Sequence, residues 1–395
     1  MGSSTLHHLA KKTSNVLGIE QFKVSHSFGS SHGHSRIIRM AYFESPKYVD
    51  MLRRSYFLWN QLESETNTKL LTKTGSLDVG KRGSRIVMGS KLTCEKEKLD
   101  HTYLNQDDLM NRFPGWRGIP KDMDYAAVYQ PDGGILNPEK CTSAHTQHAI
   151  KLGASVREDE TIKDLKIYSK NEVLVKTCKN EYLTSKVILA NGAWLGGFIK
   201  NCPDLNKLKA FQKISKILNP QRNVVMWYQA QKPEFYATQN FPVFILDIEN
   251  EMYYGFPIIN NDDSPFDKFG FKIGKYHHRR QNLSHEMLNI QADWRSNFEE
   301  PDEEVLSSAV KLLLKDAYGP ILKKTACIFT NTPDENFIID PCPDPDYPCI
   351  ALVSACSGHG FKFSSVVGEM MAFLVTENKP YPHSETLWLR ANRFY

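Results

Sequence analysis

The chain has 395 residues, 41% hydrophobic and 24% charged, with a net charge of +4. Such a composition is that of a globular protein with one large or two interleaved domains. It excludes a nucleic-acid binder, because the lysines and arginines are scattered rather than striped, and no apolar run nears the roughly 18 residues of a membrane span.

Several targeting classes fall away as well. No charged segment followed by an apolar core marks a secretory leader, and the tail Arg393-Phe394-Tyr395 is not a peroxisomal Ser-Lys-Leu signal. The eight cysteines form no Cys-x-x-Cys pair and join no histidine at zinc spacing. The expectation is a cytoplasmic monomer, with a peroxisomal location as the alternative, with free thiols, no metal, no membrane contact and no nucleic-acid partner.

In chain order, Ser3 to Lys12 reads as a helix, with Leu6, Leu9 and Ala10 on one face, and Val16 to Glu20 as a short buried strand ending in an acid. Gly29 to Gly33 is a Gly/Ser/His loop. Ser45 followed by Pro46 signals a helix start, and Tyr48, Met51, Leu52, Leu58, Trp59 and Leu62 then trace a long amphipathic helix. Leu71 to Val79 reads as a strand with a turn near Gly75; the segment 85–137, charged and punctuated by Pro and Gly, has no clear periodicity. Cys141 to Leu152 reads as a helix and Ala154 to Val156 as the start of a strand. Glu172 to Thr177 and Tyr182 to Leu189 read as paired strands, the second running into a turn at Asn191-Gly192-Ala193. Val224 to Tyr228, Val243 to Ile248 and Met252 to Phe256 add strands to a more antiparallel region. Ile350 to Val353 is a strand, Ser357 to Gly360 a tight turn, and a helix follows from Lys362. The alternation predicts an α/β domain interrupted by an α+β domain.

A dinucleotide fold needs a strand, a Gly-x-Gly-x-x-Gly turn and a helix facing the pyrophosphate, with an acid about 20 residues later for the ribose. Gly2 at the first helix and Glu20 at the end of the next strand stand at that distance; the strand and glycines that would precede them are not in the sequence. Alone, the pair is better read as a plain helix followed by a strand.

Four further blocks change the weight of that pair. Gly29-Ser30-Ser31-His32-Gly33-His34-Ser35-Arg36-Ile37-Ile38-Arg39 resembles a motif of the monomeric sarcosine oxidase family. So do Tyr253-Tyr254-Gly255-Phe256-Pro257 with Gly270-Phe271-Lys272-Ile273-Gly274, then Ala326-Cys327 with Thr330-Asn331-Thr332-Pro333-Asp334-Glu335, and Ser357-Gly358-His359-Gly360-Phe361-Lys362-Phe363. They stand in family order along essentially the whole chain. The family includes sarcosine, pipecolate, saccharopine and N-methyltryptophan oxidases.

The resemblance implies a discontinuous, Rossmann-like FAD-binding domain of the glutathione-reductase type over 1–75, 138–208 and 328–395. An α+β substrate domain would occupy 76–137 and 209–327. It also implies that the sequence begins inside the FAD fingerprint, the missing strand belonging in the middle of the parallel sheet. By the same resemblance, Gly2, Glu20, Arg36, Gly192, Gly358, His359 and Gly360 contact FAD, and Cys327 carries it as a thioether, cysteine thiolate being the nucleophile. Arg39 and Lys362 hold the substrate carboxylate, for which a bidentate guanidinium and a point charge are suited. A buried cation beside the flavin promotes reaction with oxygen, and Lys272 matches that role, with Lys275 as rival because the interval to the next histidine is one residue longer here. His32 and His277 match active-site histidines, each equally readable as a core histidine. Tyr254 and Phe329 would wall the pocket; many relatives carry Tyr where Phe329 stands, so a more apolar or longer substrate than sarcosine is expected. The implied reaction is oxidation of a secondary amino acid such as L-pipecolate, saccharopine or sarcosine to an imine, oxygen giving hydrogen peroxide. The alternatives are a dehydrogenase passing electrons to a protein acceptor, and a non-catalytic homologue.

Overall fold

The computed structural model describes residues 1–259, 270–377 and 379–395. Among the described residues the largest sheet has nine strands. Eight run in the order Gln281–Asn282, Asn219–Gln229, Gly270–Lys275, Glu251–Phe256, Val243–Ile248, Ser76–Lys81, Tyr125–Gln130 and Thr102–Asn105, and Ile321–Asn331 pairs beside Asn219–Gln229. The pairing is antiparallel except where Val243–Ile248 runs parallel to Ser76–Lys81. One face buries an aromatic cluster in which Trp116 stacks on Phe241 and Phe244 stacks on Phe271. Each such fully buried side chain contributes about 1.5–3 kcal/mol.

Beside this sheet α1 (Gly2–Ala10), α2 (Val49–Thr66), α3 (Pro138–Lys151) and α4 (Ser364–Glu377) pack together. α1 packs against both α3 and α4. The approach to α4 is close because position 368 is glycine: a Cβ there would lie 2.1 Å from Ser4 Oγ. Ser45 caps the first turn leading into α2, its hydroxyl accepting from Lys47 N, with Pro46 at the first position as expected.

The other parallel pairs fall into two separate sheets. Leu17–Ile19 pairs with Ser155–Arg157, and Val187–Leu189 pairs with Ile350–Ser354, which also takes antiparallel Ile338–Asp340. Strand residues of both sheets, among them Gly18, Val156, Ile188 and Val353, line one cavity.

Two strand readings need correction, and one strand was not foreseen. The expected strand over 71–79 is two strands in different sheets, Leu71–Lys73 and Ser76–Lys81, because Thr74 N and Gly75 N both donate to Gly133 O at a turn where Gly75 has φ +73°. The strand expected over 182–189 likewise divides into Glu181–Thr184 and Val187–Leu189. Ile321–Asn331 was not foreseen as a strand: its first half, with Lys323 and Lys324, is only half-buried and lacks an alternating pattern. The segment 85–137 holds two helices, Arg85–Lys96 and Gln106–Arg112, and three strands. Among the described residues no helix is long and apolar enough to cross a membrane.

Candidate active site

The cavity between the two parallel sheets and the large sheet has a volume of about 1390 Å³. Its wall includes Gly2, Glu20, His32, Arg36, Arg39, Gly192, Tyr254, Lys272, Cys327, Phe329, Gly358, His359, Gly360 and Lys362. Segments remote in sequence are thus brought to one place.

The Gly/Ser/His loop enters this wall because α3 holds it. Glu139, in the first turn of α3, accepts from Gly33 N at 2.6 Å and from His34 N. Gly33 adopts φ +94°, a conformation that favours glycine, and its carbonyl accepts from Lys272 Nζ at 2.6 Å. Lys272 also donates to Ser35 Oγ at 2.9 Å and lies over the rings of Trp227 and Phe256. Strand alternation decides between the two lysines: Lys272 is buried at the cavity, whereas Lys275 pairs with Glu251 at 2.8 Å.

Arg39 is fully buried and already engaged. Its Nη2 lies 2.8 Å from both oxygens of Glu44, Nη1 is 3.7 Å from Asp78, and the Ala41 carbonyl accepts a further bond. Burial opposes the guanidinium charge, but Glu44 and Asp78 outweigh it and raise its pKa further. For Glu44, burial is outweighed by Arg39, His359 and Lys362, which hold the carboxyl below its usual range. Asp78 is pushed up by burial to about 6. Lys362 donates to the carbonyl of His359 at 2.9 Å, and burial followed by Arg39 brings its ammonium down to about 7. Its backbone carbonyl is fixed by Ser55 Oγ and Trp59 Nε1 of α2, both at 3.0 Å.

His32 is buried and its Nε2 has no hydrogen-bond partner. Burial, Arg36 and Lys272 lower its pKa to about 3, so the ring is neutral at physiological pH. His359 bonds to Tyr42 Oη at 2.5 Å and to the Glu335 carbonyl at 3.0 Å. Gly360 admits no side chain, since a Cβ would lie 1.9 Å from the Ala355 carbonyl oxygen. Cys327 is buried, which raises its thiol pKa while Arg36 and Lys272 act to lower it.

His277 departs from the expectation. It does not line the cavity; its ring bridges Gln221 Oε1 at 2.7 Å and Glu335 Oε1 at 2.8 Å. The chain leaves its strand after Lys275 and turns with His277 at φ +55°. Tyr276 is left in the cavity wall, its hydroxyl donating to Ser357 O at 2.6 Å. Sequence reasoning missed Tyr276 and the acids Glu44 and Asp78. Glu44 stands five residues beyond Arg39 and was open to suspicion; Asp78 reaches Arg39 only through the fold.

The residues present fit an FAD group. A helix amino end at Gly2 and an acid at Glu20 both line the cavity. Gly192, at φ +56°, has nothing within 4 Å of where a Cβ would point. The orphaned ring nitrogen of His32 and the cysteine Cys327, flanked by cations, line the same cavity.

Comparison with known proteins gives the same answer: residues 1–374 match the family model described as FAD dependent oxidoreductase (DAO). The chain belongs to this family. Its fold is accordingly the α/β fold of FAD-dependent oxidoreductases, Rossmann-like where it binds FAD. The chain is 34% identical to monomeric sarcosine oxidase of Bacillus sp. (strain NS-129) over 381 residues, covering 96% of this chain and 91% of the relative. It is 28% identical to N-methyl-L-tryptophan oxidase of Yersinia pestis (strain Pestoides F), covering 97% and 94%. Among solved structures, NikD, an amino acid oxidase essential for nikkomycin biosynthesis, superposes with a TM-score of 0.79 at 20% identity, covering 98% of this chain and 94% of NikD. L-proline dehydrogenase from P. horikoshii superposes with a TM-score of 0.74 at 23% identity, covering 99% and 94%.

Proposed function

We propose that this protein is an oxidase of a secondary, N-substituted amino acid, yielding an imine and hydrogen peroxide, with FAD attached through Cys327. The observation that carries the reading is the convergence of Arg39, Lys362, Lys272 and Cys327 on one cavity. The match to relatives named for oxidation of N-methylated amino acids supports it.

FAD, when bound, would supply the acceptor for the substrate's electrons and their route to oxygen. The chain's own residues do the rest. Arg39 and Lys362 bind the substrate carboxylate and so fix which C–H bond faces the cofactor, an effect of positioning. Glu44 holds Arg39 in place without a ligand, and the incoming carboxylate shares or takes over that guanidinium. Phe329, Tyr254, Met252 and Ile245 form apolar wall that excludes water and favours an apolar substituent on the substrate. Phe329 offers no hydroxyl, so L-pipecolate, with its ring methylenes, suits the pocket better than sarcosine; saccharopine is the longer candidate. Lys272, buried and hydrogen-bonded, places fixed positive charge where oxygen acquires negative charge.

The test is a peroxide assay across L-pipecolate, saccharopine and sarcosine, with anaerobic bleaching of the flavin as a parallel readout. Peroxide with L-pipecolate at the highest kcat/KM is expected. Bleaching without peroxide would show a dehydrogenase, and no bleaching with any of the three would refute the substrate class.

A further inference from the structure

A second cluster of ligating side chains lies where α1, α2 and α3 meet, and none of its residues lines the cavity. His7 of α1, Glu65 of α2 and His148 of α3 converge there. His7 Nε2 is 3.0 Å from His148 Nδ1, His148 Nδ1 is 3.4 Å from Glu65 Oε2, and His7 Nε2 is 3.6 Å from the same oxygen. Ligands about 2.0–2.1 Å from a tetrahedral zinc ion are separated by about 3.3 Å. The three atoms therefore already form close to one face of a coordination tetrahedron.

We propose that His7, Glu65 and His148 bind a divalent transition-metal ion, leaving the fourth position to water. Two imidazoles and one carboxylate are the donor set that zinc, nickel and copper favour over calcium or magnesium. The helices set the geometry before any ion arrives: His7 is held in the packed seam between α1 and α3, only 2% exposed. Glu65 and His148 are partly open to solvent, at 27% and 15% exposure of their side chains, and give the ion its entrance. Each histidine can present the nitrogen in question while its proton resides on the other ring nitrogen, which replaces the hydrogen bond between the rings with two metal bonds. Lys11 competes for the carboxylate, its Nζ 2.9 Å from both Glu65 oxygens. Lys11 is partly exposed and can swing into water when an ion binds. His7 Nδ1 has no hydrogen-bond partner; without the outer partner that usually orients a metal-bound histidine, the affinity is that of an exchangeable site. No sequence spacing announces the triad, since positions 7, 65 and 148 come from three separate helices.

The test uses tag-free holoenzyme stripped with EDTA and titrated with zinc against a chromophoric chelator. One zinc per chain is expected. His148→Ala and Glu65→Gln should each weaken it by at least about 10–100-fold, the cost of losing even an outer-shell partner. Lys11→Ala, which removes the competing cation, should tighten binding. Flavin absorbance and the melting temperature of the metal-free variants separate a lost ligand from a lost fold. Absence of competition with the chelator in the parent protein, or equal affinity in the parent, His148→Ala and Glu65→Gln, would overturn the site.

Discussion

Replacing Lys362 by Met tests the carboxylate-binding assignment and the electrostatics behind it together. Burial, then Arg39, bring the Lys362 ammonium from 10.5 to about 7 in the fold. Retaining the charge below pH 7 therefore costs the folded state up to about 5 kcal/mol relative to the unfolded chain. The folded pKa is the lower of the two, so between about 7 and 10.5 the unfolded chain binds more protons and stability rises with pH. Of that cost, about 3 kcal/mol should be recovered by the parent between pH 6 and 9. The Met variant fills the same space without charge and lacks this recovery. It should be the more stable protein at pH 6 by up to a few kcal/mol, with the gap closing toward pH 9, in urea unfolding of substrate-free holoenzyme. Its KM should rise by about 10- to 150-fold, since a hydrogen bond to a charged group is worth about 1.5–3 kcal/mol. Parallel stability curves for parent and variant from pH 6 to 9 would refute the burial argument, and a KM within twofold of the parent would refute the binding role.

Lys272→Met should slow flavin reoxidation by oxygen about 10²–10³-fold, the scale of removing one preorganised charge donor, while anaerobic reduction by substrate changes far less in stopped flow; an unaltered reoxidation rate would end the oxygen role. Cys327→Ser should release its FAD on acid precipitation where the parent pellet stays yellow; a colourless parent pellet would remove the thioether. In the large sheet, Arg222 is buried and donates to both oxygens of Asp302 at 2.9 Å. Asp302→Ala leaves that guanidinium uncompensated and should cost about 3–5 kcal/mol, read as a lower urea midpoint at unchanged slope.

What the sequence determined by itself is local and motif-bound. The period of apolar residues located α2, and Ser45-Pro46 marked the start of the turn into it, because caps and amphipathic faces are written within a few residues of one another. The motif blocks also pointed to Arg39, Lys272, Cys327 and Lys362, which line one cavity. What only the tertiary structure decided is which groups those residues meet. Glu44 and Asp78 on Arg39, Tyr276 in the wall instead of His277, and His7 beside Glu65 and His148 are all contacts made by packing. A side chain's charge and freedom are set by its neighbours in space, and those neighbours come from elements whose order along the chain carries no trace of the meeting.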